Sequence, residues 1–378
     1  MSNQAADTIK NAKRIVIKVG SALLIDENGN LHAGWLYNLV KDIALLRKSG
    51  KEVIIVSSGA VALGRRRLGI GSVMNKNEKH AAAAAGQVHI INAYENAFAG
   101  YQTVISQVLL TLDVTDDRVS YLNARDTLDT LLELGSVPVV NENDSITTRE
   151  GRYGDNDRLA AYVAQMSDSD ALILLSDIDG LYTGDPRMNP DAEFIPVVTE
   201  ISDDIRAMAG GTARKGAGTG GMRTKILAAE IAMQAGVSTI IAKGRTKEDI
   251  GPITRLLGGG QATLFKAEAT DESARRIWIG SHFQSKGTIY IDEGAEKAIR
   301  DGANLLAAGI SRVDGQFEKG DAVSIANLRG DEIAKGLTGY SASEIQLLAG
   351  AKTADIAERV GYKGRAAVVH YQDLVFDD

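Results

Sequence analysis

The sequence contains no cysteine and only 5 prolines in 378 residues. The first absence excludes disulfides, thiolate nucleophiles and cysteine-based zinc sites. Proline scarcity beside 40 glycines points to tight turns and close backbone approach rather than low-complexity linkers. No apolar run nears the ~18 residues of a membrane span, and the opening MSNQAADTIKNAKR lacks the apolar core of a signal peptide. Positive charge is also short. There are 42 basic against 49 acidic residues, a formal net charge of −7, which argues against bulk attraction to nucleic acid. The Walker A pattern is missing, because the Gly50-Lys51 pair runs into Glu52. His32, His80, His89, His282 and His370 show no metal-ligand spacing, so no metal site is expected among them. Together these absences lead to the expectation of a soluble, cytoplasmic protein without membrane attachment.

What remains is ordinary globular composition, 44% hydrophobic and 24% charged. At ~150 residues per domain the length suits two or three units. Short runs rich in Val, Ile and Leu at 14–19, 52–56, 103–110, 137–140, 171–175 and 237–242 predict strands. Amphipathic spacing at 35–46, 121–134 and 224–235 predicts helices between them. Continuously apolar strands alternating with helices imply an α/β fold whose mainly parallel central sheet is covered on both faces. Ligands of such sheets sit beyond the carboxyl ends of the strands. The pattern changes near residue 280. Strands are predicted at 288–291, 322–325 and 366–370, with short helices near 295–301 and 343–348. This reads as a small β-rich domain. The expected organisation is a first domain over 1–269, a charged connector over 270–286 and the β-rich domain over 287–378.

Several segments carry chemistry. Gly216-Ala217-Gly218-Thr219-Gly220-Gly221 matches a dinucleotide fingerprint formally, but no strand precedes it, which the fingerprint requires. The same glycine-rich backbone leads into a helix at Thr224-Lys225, where free N–H groups and the positive helix end favour anions. A lysine in a first helical turn does not serve helix stability, and a bound phosphate would compensate it. Lys18 interrupts an apolar strand just before Gly20-Ser21. It either snorkels from an edge or points into a cleft at the strand's carboxyl end. Beside a second lysine and a glycine loop, a phosphate clamp is the better account. Val56-Ser57-Ser58-Gly59-Ala60 either caps a helix or sets a hydroxyl and backbone N–H groups against a carboxylate. Asn141-Glu142-Asn143-Asp144 and Gly154-Asp155-Asn156-Asp157 hold four acids and three asparagines. Such a cluster is either solvated or faces cations, and it could hold the ammonium and carboxylate of an α-amino acid. Ser176-Asp177, with the turn-rich stretch to Arg187, suits a hairpin or ordered loop.

In this order, and with Gly180-Leu181-Tyr182-Thr183 and Thr219-Gly220-Gly221-Met222-Arg223-Thr224-Lys225, the set resembles the amino acid kinase family. Within it, the set is similar to the branch that phosphorylates the γ-carboxylate of L-glutamate at the start of proline synthesis. The β-rich tail resembles the PUA domain. The resemblance implies an amino acid kinase fold, an α/β/α sandwich with a mainly parallel sheet, followed by a PUA-like domain. It implies ATP as co-substrate with Mg²⁺, proline as an inhibitor at or overlapping the glutamate site, and a homo-oligomer, dimer or tetramer. By position, Lys18 and Lys225 would neutralise ATP phosphates and Asp157 would hold both lysines. Ser58, Asp144 and Asn156 would bind glutamate. Ser176, Asp177 and Thr219 to Lys225 (Thr219, Gly220, Gly221, Met222, Arg223, Thr224, Lys225) would line the nucleotide site with Lys18. Arg223 stands where the family often has a small residue, and Ser176 where threonine is frequent. Members acting on aspartate, acetylglutamate, carbamate or UMP are the alternatives. An RNA-binding role for the tail is disfavoured, because residues 287–378 hold 10 basic and 15 acidic residues.

Overall fold

The computed structural model describes residues 4–26, 28–115, 118–146, 156–209, 221–246, 250–267 and 285–376. The chain forms two compact units, Met1–Asp116 with Ala124–Ala269, and Asp117–Asn123 with Thr270–Asp378.

In chain order, the first stretch runs α1 (Gln4–Asn11), β1 (Arg14–Val19), α2 (Ser21–Leu24), α3 (Ala33–Lys48), β2 (Glu52–Ser57), α4 (Ala60–Arg67), α5 (Lys76–Phe98) and β3 (Ile105–Leu110). It continues through α6 (Arg118–Glu133), β4 (Val137–Glu142), α7 (Asn156–Met166) and β5 (Ala171–Ser176). A small hairpin, β6 (Leu181–Tyr182) with β7 (Phe194–Ile195), comes next. The last elements of this part are β8 (Val197–Val198), α8 (Asp203–Met208), α9 (Met222–Gln234), β9 (Ser238–Lys243), α10 (Pro252–Leu257) and β10 (Ala262–Phe265). Eight strands make one sheet in the order β3-β4-β2-β1-β5-β9-β10-β8. Every neighbouring pair is parallel except β9 with β10.

Strands β1, β2, β4 and β5 are buried along nearly their whole length, as continuous apolar runs require when helices cover both faces. Alternation assigns their side chains to faces. Ile15, Ile17, Val53, Ile55 and Ile173 share a core with Ile9, Leu39, Ile43, Tyr94, Phe98 and Leu256, from α1, α3, α5 and α10. Val16, Ile54 and Leu172 are equally buried but outside that core, and they face the layer containing α7 and α9, which pack on each other. Lys18 has the parity of Val16, so β1 aims it at α7 and α9. Pairing levels the strand ends: Val19 lies beside Ser57 and Leu175, and Val56 beside Val140.

Two side chains anchor this frame away from the strand ends. Asp42 of α3 is buried and accepts from the N–H groups of Ile253 (2.7 Å) and Thr254 (3.1 Å), capping α10. Arg14 bridges Glu52 and Asp129, each at 2.7 Å. Helix α5 starts at a capping box, Asn75 and Glu78 exchanging hydrogen bonds of 2.9 and 2.8 Å. It meets α4 backbone to backbone. A Cβ on Gly64 would lie 1.8 Å from the Ala82 oxygen, and one on Gly86 1.8 Å from the Ala60 oxygen.

The second unit is built on a six-stranded sheet of β11 (Gly287–Ile291), β12 (Leu305–Leu306), β13 (Ile310–Gly315), β14 (Ala322–Ala326), β15 (Glu332–Thr338) and β16 (Ala367–Phe376), ordered β12-β16-β15-β14-β11-β13. Asp292 caps a helix at Glu293–Arg300, and Ser341 with Glu344 boxes another at Ala342–Leu348. Ile289, Ile325, Ile333, Ile345 and Val369 lie in its core. The connector expected at 270–286 falls, but for its last two residues, outside the described residues.

Candidate active site

The carboxyl ends of β1, β2, β4 and β5 lie level, and each delivers polar groups there. Lys18 comes from β1, Asp157 from the first turn of α7 and Lys225 from the first turn of α9; all three are buried, at 6%, 1% and 3% exposure. Lys18 Nζ meets Asp157 Oδ1 at 2.6 Å, and Lys225 Nζ meets Oδ2 at 3.1 Å. Thr224 Oγ1 also donates to Oδ2, at 2.8 Å. Burial alone would push the Asp157 carboxyl up, but Lys18 and Lys225 override it and hold the group well below the usual carboxylate range. Two ammoniums against one carboxylate leave the trio with one net positive charge. Such a deficit, beside the N-terminus of α9, whose N-cap residue Gly221 brings no capping side chain of its own, suits an anion.

A neutral polar cluster adjoins this trio through Asn156, the residue before Asp157 and the first of α7. Asn156 Nδ2 lies 2.7 Å from the Ser57 carbonyl, 2.8 Å from Ser58 Oγ and 2.9 Å from Asn141 Oδ1. Asn141 in turn donates to Gln87 Oε1 at 2.8 Å. Tyr94 donates to Ser57 Oγ at 3.3 Å. The turn at Ser58 needs glycine next: Gly59 has φ +107°, and a Cβ there would press on Ile25.

Every expected site residue within the described part lies on or beside these strand ends and helix starts. Direct contacts join Lys18, Asp157, Thr224 and Lys225, and separately Ser58 and Asn156. Asp144 sits two residues beyond β4, half-buried, its carboxyl pushed up to about 6 by burial. Ser176 ends β5 and donates to its neighbour Asp177 at 3.0 Å. Met222 is half-buried and Arg223 exposed at the start of α9. Thr219 and Gly220 lie outside the described residues, as do Gly154 and Asp155. Gln87 and Tyr94 were missing from the expectation. The usable signal was Ala81 to Gly86, six small residues marking a close helix contact, with Gln87 the polar residue that follows. Asp157 gives both oxygens to ammoniums, and no group of three His, Cys, Asp or Glu among the described residues is arranged around a cation.

The amino acid kinase family model matches residues 13–243, and the PUA domain model matches residues 287–360. The chain is 47% identical to the glutamate 5-kinase of Paramagnetospirillum magneticum, over 97% of this chain and 98% of that protein. It is 49% identical to the glutamate 5-kinase of Gluconobacter oxydans, over 99% of this chain and 98% of the other. The glutamate 5-kinase of Rhodospirillum rubrum is 49% identical over 96% of each.

Proposed function

From the premise that the chain belongs to the amino acid kinase family and is a kinase, we propose that it transfers the γ-phosphoryl group of ATP to the γ-carboxylate of L-glutamate. The observation that carries this reading is the buried bridge of Lys18, Asp157 and Lys225. Its net positive charge is placed to draw in a phosphate chain, and Asp157 keeps the two ammoniums from repelling each other apart.

The chemistry needs no proton transfer. A glutamate side chain with a pKa near ~4.3 is already ionised at neutral pH. One of its oxygens attacks the γ-phosphorus, the bond from that phosphorus to the β,γ-bridging oxygen breaks, and the electron pair leaves on ADP. The obstacle is repulsion between two anions, together with charge gathering on the leaving group. Lys18, Lys225 and the N–H groups at the start of α9 meet it by position and field. Mg²⁺ arriving with the nucleotide would neutralise further phosphate charge. Ser58, Asn156 and Asp144 hold the amino acid, Asp144 taking its ammonium group. Ser176, Asp177 and residues 219–225 border the nucleotide. The product enters proline synthesis, proline competes at the amino acid pocket, and the enzyme works as a homo-oligomer.

Incubation with ATP, Mg²⁺ and glutamate in hydroxylamine should yield the γ-hydroxamate with matching ADP release. Aspartate, acetylglutamate, carbamate and UMP should release far less ADP. Absence of hydroxamate, or a better rate with any of those acceptors, would overturn the assignment.

A further inference from the structure

Three side-chain amides form a relay whose direction is set at its ends by the backbone. The Ser57 carbonyl can only accept, so the Asn156 atom facing it at 2.7 Å is Nδ2. The Glu142 N–H can only donate, so the Asn141 atom it meets at 2.9 Å is Oδ1, which also receives Asn156 Nδ2 at 2.9 Å. Asn141 is therefore left to offer Nδ2, and Gln87 receives it on Oε1 at 2.8 Å. Two groups remain over: Gln87 Nε2, a donor, and Asn156 Oδ1, an acceptor. Both are buried without a partner among the described residues, on side chains only 8% and 3% exposed. An idle buried amide donor is costly unless a ligand completes it. The close approach of Gly86 to the Ala60 carbonyl sets this part of α5 against the first turn of α4, and Gln87 is tied to the Ser58 cluster through Asn141 and Asn156.

A relay ending in one donor and one acceptor is complementary to a zwitterion. We propose that Gln87 is a substrate-positioning residue whose Nε2 donates to the α-carboxylate of the amino acid, while Asn156 Oδ1 receives its ammonium group. The proposal rests on the reading of this pocket as the glutamate site. A purely structural glutamine, holding Asn141 in place, would use Oε1 and have no use for Nε2.

The test compares L-glutamate with its α-carboxamide, isoglutamine, as acceptors for the full chain and for Gln87→Glu and Gln87→Met. The wild type should prefer glutamate. Both variants should lose about 10- to 100-fold in kcat/KM for glutamate, the worth of a hydrogen bond to a charged group, through KM and with the ATP KM unchanged. In Gln87→Glu the amide of isoglutamine can donate to the new carboxylate, so the preference for glutamate should shrink by at least about 10-fold. An unchanged preference in a folded variant overturns the proposal. So does the failure of both variants to fold, which would assign Gln87 to packing. A wild type that makes no hydroxamate from glutamate refutes the glutamate reading itself, an outcome distinct from an active enzyme indifferent to Gln87.

Discussion

Asp157→Asn keeps the shape of the side chain and removes the negative charge that two buried ammoniums share. At an effective dielectric of about 20, contacts of 2.6 and 3.1 Å correspond to about 6 and about 5 kcal/mol of attraction before desolvation is deducted. Breaking a buried pair by removing one member costs about 3–5 kcal/mol net. At roughly 2–4 °C per kcal/mol for a unit of this size, the first unit should melt about 6–20 °C lower, read by calorimetry without nucleotide. ATP should restore more stability to the variant than to the parent, because its phosphates supply the missing charge. The pH dependence has a definite sign. The native carboxyl is held below its ordinary value, so its contribution is complete above the unfolded pKa near ~3.9 and drains away as pH falls toward the lower folded value. The variant should lack that acid limb. A nucleotide-free variant melting within about 1 °C of the parent, a shift of well under 1 kcal/mol, would show that the lysines do not depend on Asp157.

Three further outcomes are expected. Lys225→Ala should lower kcat by about 10³-fold or more yet retain the fold, because Asp157 keeps Lys18 at 2.6 Å; near-normal turnover would remove Lys225 from the mechanism. The Asp144 carboxyl, raised to about 6, must ionise to hold an ammonium, so the glutamate KM should climb as pH falls below 6 while the ATP KM stays level. Because that folded pKa lies above the unfolded one, ionising Asp144 costs stability, and its contribution to the ligand-free protein should decline as pH rises from ~3.9 to about 6. Asp144→Asn should flatten the KM profile, and a flat wild-type profile would sink the assignment. Asp42→Ala strands the buried N–H of Ile253 and the part-buried N–H of Thr254 at the start of α10 and should cost about 1–3 kcal/mol in denaturant unfolding with activity per folded molecule unchanged; a stable variant would deny that cap its role.

The strands were legible because Val, Ile and Leu dominate 14–19, 52–56, 137–140 and 171–175. Their order was not, since pairing joins residues far apart in the chain and leaves no local pattern. Helix α5 escaped the periodicity argument because Ala81 to Ala85 carry no polar contrast between faces, and β10 escaped by being four residues long. At the site, Lys18 and Lys225 stood out as charges in places where local structure gains nothing from them, whereas Asp157, an acid in a first helical turn and so locally favoured, drew notice only through its acid and asparagine cluster and the family resemblance. Lys18 alone was ambiguous between an edge and a cleft; its parity with Val16 and its contact with Asp157 resolve the choice. Gln87 was hidden for the opposite reason. A glutamine in a helix is ordinary until its amide is found against Asn141, 54 residues away.

The paired glycines of α4 and α5 leave protein evolution no gentle gradient at this seam. Most packed positions can be tuned through a series of sizes, each step a small strain. Here the smallest addition, one carbon, already lands 1.8 Å from a neighbouring oxygen at either position. The seam is therefore kept whole or lost whole, and drift in this region is diverted to outward positions such as Val88, more than half exposed.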